Sequence, residues 1–114
     1  MREFNFGDAD GIELADASLA EGRVNFNEPD GGGLFYAYVA GLTTGNRYVA
    51  DWKQFVTPGN HTAIIGHSGP AGHAGRTVRV EFIADGYNMT LNFRGYGTAA
   101  GPNWIDALTI DEVA

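Results

Sequence analysis

The amino-acid sequence predicts an all-β fold: a two-sheet antiparallel sandwich of eight or nine short strands, forming a single domain over residues 1–114. Three observations carry this expectation. Segments such as Thr77 to Ala84 alternate apolar and polar residues, which sends one strand face into a core and the other into water. Glycine is heavily used, 17 of 114 residues, and gathers between those segments, as tight turns demand. Long runs of helix formers such as Leu, Glu and Lys are missing, so no long helix competes with the strands. A hydrophobic content of 44%, with 12% aromatics, is enough for one core in a chain of this length.

The elements follow in order. Glu3 to Phe6 opens as a short strand, and Gly7-Asp8-Ala9-Asp10-Gly11 is a turn. Residues 12 to 20 carry Ile12, Leu14 and Leu19 at spacings that suit short strands or one helical turn. Arg23 to Asn27 alternates, and Pro29-Asp30-Gly31-Gly32-Gly33 breaks the chain. Leu34 to Ala40 is a fuller strand, turned by Leu42-Thr43-Thr44-Gly45 into Arg47 to Val56. There Tyr48, Ala50 and Trp52 make a core face, opposed by Arg47, Asp51 and Lys53. Pro58-Gly59-Asn60 turns into His61 to Gly66, and His67 to Gly75 is the longest loop.

Thr77 to Ala84 sets Val78, Val80 and Phe82 against Arg79, Glu81 and Ile83. Asp85-Gly86 marks a hairpin, after which Met89, Leu91 and Phe93 face inward while Thr90, Asn92 and Arg94 face out. The closing strand runs from about Asn103 to Glu112. Strand parity puts Trp104, Asp106, Leu108 and Ile110 on one buried face. A carboxylate there needs hydrogen bonds or a cation.

Composition excludes several functions. The net charge of -7, with seven scattered basic residues, argues against a nucleic-acid partner, which rewards clustered Lys and Arg. No apolar run is long enough to insert in a membrane, and Met1-Arg2-Glu3-Phe4-Asn5-Phe6 lacks the apolar core of a signal peptide. Cysteine is absent, so disulfides play no part. A triad could be drawn from Ser68, His73 and an aspartate, but the Gly-x-Ser-x-Gly elbow is missing. His61, His67 and His73 have neither cysteines nor an H-x-x-x-H helix beside them and read as loop histidines. The chain reads as a non-enzyme.

Two binding constellations stand out. Sugars are held by aromatic faces flanked by polar groups. In Leu34 to Val39, Tyr36 and Tyr38 share the face opposite Phe35, Ala37 and Val39. Arg79, Glu81, Asn92 and Arg94 are candidate neighbours, while Tyr87, Tyr96 and Trp104 beside turns could form a rim. The ligand set is therefore Tyr36, Tyr38, Arg79, Tyr87, Arg94 and Tyr96, although aromatics in a small sandwich also serve packing. Asp8, Asp10 and Glu13, close together after the first strand, suit the oxygen shell of calcium; the same aspartates also cap turns.

The hairpin signal Gly41-Leu42-Thr43-Thr44-Gly45-Asn46-Arg47-Tyr48 and the ending Gly101-Pro102-Asn103-Trp104-Ile105-Asp106-Ala107-Leu108-Thr109-Ile110 resemble the jelly-roll carbohydrate-binding modules. Such modules are attached to glycosidases and to bacteriophage tail and virion proteins. The resemblance implies jelly-roll topology, which strand spacing does not separate from an immunoglobulin-like sandwich. It also implies a structural Ca2+ between the start of the chain and the last strand, with Asp106 joining Asp8, Asp10 and Glu13. The family often has an acidic residue directly after the first strand's aromatic, whereas here Phe6 is followed by Gly7.

The function implied is a non-catalytic binding or assembly module. Its first setting is a bacteriophage virion, as a capsid decoration, head-fibre or tail-associated protein contacting other virion proteins and cell-surface glycans, with homo-oligomerisation left open. The start at Met1, the lack of an export signal and the stop just past the last strand read as a complete small gene product, which favours that setting. The alternative is an extracellular carbohydrate-binding module from a secreted polysaccharide-degrading enzyme.

Overall fold

The computed structural model describes residues 2–113, and these form nine β-strands and no helix. The strands are β1 (Arg2–Glu3), β2 (Ile12–Ala20), β3 (Arg23–Phe26), β4 (Gly33–Val39), β5 (Arg47–Val56), β6 (His61–Ile64), β7 (Thr77–Ile83), β8 (Met89–Tyr96) and β9 (Asn103–Glu112). Every pairing is antiparallel. The hydrogen-bonded path runs β6-β8-β4-β2-β3-β9-β5-β7, with β1 also beside β9.

One strand makes that path continuous. The first half of β2 pairs with β4 (Ile12 with Ala37, Leu14 with Phe35), and its second half pairs with β3 (Ala17 with Phe26, Ala20 with Arg23). The pairing with β4 slips by one residue between Leu14 and Asp16, a bulge that bends the strand. Residues 12–20 are thus one nine-residue strand with no helical turn. The β2–β3 reversal uses Glu21 and Gly22, both at positive φ, the geometry of a two-residue hairpin turn.

The sheet curls around a single core. Trp52 on β5 meets Phe93 on β8 edge-on at 5.2 Å between ring centres, although the two strands lie near opposite ends of the path. Phe93 stacks on Phe35 at 4.9 Å, and Phe35 is flanked by Phe6 and Phe26. Trp52, Phe35, Phe93, Ile64, Leu91, Ile105 and Leu108 are all fully buried. Burying one such side chain contributes about 1.5–3 kcal/mol. The inward sets predicted for β5, β7 and β8 are all in this core.

Two expectations need correction. The first strand is confined to Arg2–Glu3, because Phe4 and Phe6 turn inward as core residues and Phe4 N–H keeps a single bond to the Leu108 carbonyl. In β9, the predicted buried face of Trp104, Asp106, Leu108 and Ile110 is split. Lys53 faces Asp106 while Asp51 faces Thr109, so β9 holds one extra residue there. Ala107 takes it up at φ 52°. The bulge reverses the parity: Ile105, Leu108 and Ile110 are buried, while Trp104 and Asp106 are half-buried on the outside. Asp106 Oδ1 accepts the Ala107 N–H at 2.7 Å, and Arg23 lies over the Trp104 ring.

The long loop after β6 is also tied down. Gln54 accepts hydrogen bonds from Trp52 Nε1 and Thr62 Oγ1 and donates to the carbonyls of His73 and Gly75. Thr62 and His73 exchange main-chain bonds of 2.9 and 2.7 Å. This buried network covers the free edge of β6 and joins it to β5.

Candidate functional site

The outer face of β8, β4 and β2 is built in rows by strand register. Arg94 faces Leu34, which faces Asp16; Asn92 faces Tyr36, which faces Glu13; Thr90 faces Tyr38. His61 on β6 faces Tyr96. Because Phe35, Ala37, Val39, Leu91 and Phe93 fill the core, the period of two turns these partners outward.

At the Tyr96 end of this face lies a cleft of about 410 Å³, lined by Asp16, Glu28, Asp30, Arg94, Tyr96 and a floor that includes Gly33, Gly95 and Gly97. The floor has to be glycine. A Cβ on Gly97 would overlap the Asp30 carbonyl oxygen, and one on Gly33 would overlap that of Asp16. The β3–β4 connection therefore drops onto β8 and carries Glu28 and Asp30 to the rim. Asn60 and Asn103, both buried, fasten the facing segment: Asn60 Oδ1 accepts the N–H groups of Thr98 and Ala99, and Asn103 Oδ1 accepts Thr57 N–H.

The electrostatics of the cleft are asymmetric. A hydrogen bond between the Glu28 and Asp16 carboxyls, with the repulsion between them, holds Glu28 above the ordinary carboxylate range. Asp30 pushes the same way and Arg94 opposes it. Tyr96 stacks on His61 at 4.8 Å and 16°, and the Arg94 guanidinium sits 5.9 Å from the Tyr96 ring centre. Further along the face, Tyr38 donates to Glu13 Oε1 at 2.8 Å, which raises the phenol's pKa. The arrangement offers a flat aromatic ring, carboxylate acceptors and one guanidinium donor in a shared concavity, a set suited to polyhydroxylated ligands.

No protein-family model and no curated protein matches this chain. The reading of the site therefore rests on its own chemistry.

Of the six ligand residues expected from sequence, Arg94 and Tyr96 line the cleft, and Tyr36 and Tyr38 continue the same face. Arg79 and Tyr87 are elsewhere. Arg79 is on β7, ion-paired with Asp51 at 3.1 Å. Tyr87, exposed in the turn before β8, is at the end of that strand away from Tyr96. Asp16, Glu28 and Asp30 escaped sequence reasoning, and His61, grouped there with the loop histidines, stands on β6 and stacks on Tyr96 beside the cleft. The one available signal was two acids, Glu28 and Asp30, abutting the glycine run 31–33.

The residues expected to hold calcium are not gathered into one shell. Asp8 Oδ1 accepts Asp10 N–H, Asp10 pairs with Arg2 at 3.7 Å, Glu13 accepts the Tyr38 hydroxyl, and Asp106 is bonded to its own strand. Among the described residues no three His, Cys, Asp or Glu side chains form a metal-holding group.

Ser68 and His73 do meet: Ser68 Oγ lies 2.8 Å from His73 Nε2 and accepts the Ile64 N–H. The Ser68 proton is free to donate to a neutral imidazole. Burial, then the charge of His61, hold His73 below its ordinary pKa. His73 also packs edge-on to Trp52 at 5.9 Å. His73 thus ties the loop to β6, and His67 packs against the Phe82 ring at 5.6 Å.

Proposed function

We propose that this chain is a non-catalytic binding and assembly module, a jelly-roll sandwich of the carbohydrate-binding-module type that holds a glycan on the outer face of β8, β4 and β2. The observation that carries the reading is the glycine-floored cleft in which Tyr96, Arg94 and three carboxylates converge. A sugar ring stacks on Tyr96, Arg94 donates to ring or hydroxyl oxygens, and the carboxylates accept from hydroxyls. In the virion setting, such a face would meet cell-surface glycans while another surface seats the module on the particle. The module of a polysaccharide-degrading enzyme would use the same face.

The test is binding to cello-, xylo- and chito-oligosaccharides on an array, followed by titration calorimetry. Micromolar binding that Tyr96→Ala and Arg94→Ala each weaken at least about tenfold, about 1.4 kcal/mol, with unchanged melting temperature, is the expected result. Absence of binding to every glycan, or binding indifferent to both substitutions, contradicts it.

A further inference from the structure

The sheet path ends on β7, whose outer edge has no strand beside it among the described residues. The other end, β6, is covered by the Thr62–His73 bridge. An unpaired edge is a template for another strand, and this one is straight: β7 contains no glycine, proline or bulge and keeps one register with β5 throughout. We infer that β7 pairs with β7 of a second copy of this chain, antiparallel and centred on Val80, joining two sheets into one across a twofold axis.

The register follows from which groups point outward. Gln54 N–H bonds the Arg76 carbonyl and Ala84 N–H bonds the Asn46 carbonyl. Even-numbered residues of this strand therefore spend their main-chain groups on β5, since bonded pairs alternate along an antiparallel ladder. Thr77, Arg79, Glu81 and Ile83 present theirs to the free edge. An antiparallel partner that bonds to those residues has three central registers to choose from. Centring on Arg79 sets Arg79 against its own copy, and centring on Glu81 does the same with two carboxylates. Like charges directly opposite are destabilising.

Centring on Val80 is the register that sets Arg79 against Glu81 of the second copy, and Glu81 against its Arg79. It also sets Thr77 opposite the exposed Ile83, 49% accessible in the single chain. The core-parity residues then run on unbroken, Val80 beside Val80 and Val78 beside Phe82. Each Arg79 keeps Asp51 on its other side, so the solvent face acquires alternating charges across the junction. Symmetry makes the interface self-complementary and closed.

Charge reversal tests this on the intact chain, using light scattering with size-exclusion chromatography from micromolar to millimolar concentration. The wild type is expected to give a dimer. R79E and E81R, each folded by circular dichroism, are expected to lose it, because each alone puts like charges opposite at both positions. An equimolar mixture of the two variants is expected to restore a dimer, since R79E then faces E81R with opposite charges; R79E/E81R in one chain restores it as well. A wild type that stays monomeric throughout overturns the proposal. So does a dimer that survives both single reversals, or one that neither the mixture nor the double variant restores.

Discussion

The two outer faces of this curled sheet share one inward pattern yet differ in how they use charge. On the β5–β7 side, charges are matched within the face: Arg79 with Asp51 at 3.1 Å and Arg47 with Glu81 at 3.7 Å. On the β8–β4–β2 side, Asp16, Glu28 and Asp30 crowd round a cleft and push Glu28 above its ordinary range, with Arg94 opposing them. Exposed ion pairs contribute about 0–1 kcal/mol each, so the first face gains little stability from its order. The second accepts repulsion that packing does not require. In the function proposed above, like charge only partly offset by Arg94, beside a concavity and a stacked tyrosine, is what favours this face as the one that meets a ligand.

The largest effect should come from what both faces share. Phe93→Ala removes the ring that joins Phe35 on β4 to Trp52 on β5 and should cost about 3–5 kcal/mol in chemical denaturation. A loss below about 1 kcal/mol would mean that the two halves are not knit through that ring. Next comes Gln54→Ala, which strands buried donors and acceptors at Trp52, Thr62, His73 and Gly75. A cost of about 1–3 kcal/mol, with faster amide exchange confined to residues 62–76, is expected. Unchanged exchange there would contradict the network's role as a fastener.

The pH response should be smaller and of known sign. His73 binds its proton less readily in the fold than in the unfolded chain. The unfolded state therefore gains protons first as pH falls, and stability drops from about 6.5 down through the folded value. A melting series from about pH 8 to about pH 5 should show this slope, and His73→Gln should flatten it. An identical slope in the variant would assign the proton elsewhere. Smallest is Glu28→Gln. Because Glu28 is raised, its ionised form is disfavoured in the fold, so the amide should lift the melting temperature slightly near pH 7 and leave it unchanged near pH 4. A fall near pH 7 would show that the carboxylate is not repelled.

Much of the β architecture was legible because it is local. The alternation in Thr77 to Ala84 and in Met89 to Arg94 names its own inward and outward sets, and the outward pair Tyr36 and Tyr38 follows from the same parity. What the sequence concealed depends on partners. Residues 12–20, with three alanines, a glutamate and an aspartate, have weak strand preference of their own and are held extended by β4 on one stretch and β3 on the next. The bulge at Ala107 has no residue signature, since alanine rarely takes positive φ, yet it moves Asp106 out of the core. The cleft joins positions 16, 28, 30, 94 and 96, which only the pairing of β2, β4 and β8 brings together.

The contrast between the faces is most directly tested by mapping amide chemical shifts while titrating the oligosaccharide that the array selects. Perturbations clustered at residues 28–34 and 94–97, with Thr77–Ile83 silent, are the predicted outcome. Shifts centred on the ion-paired β5–β7 face would contradict the account.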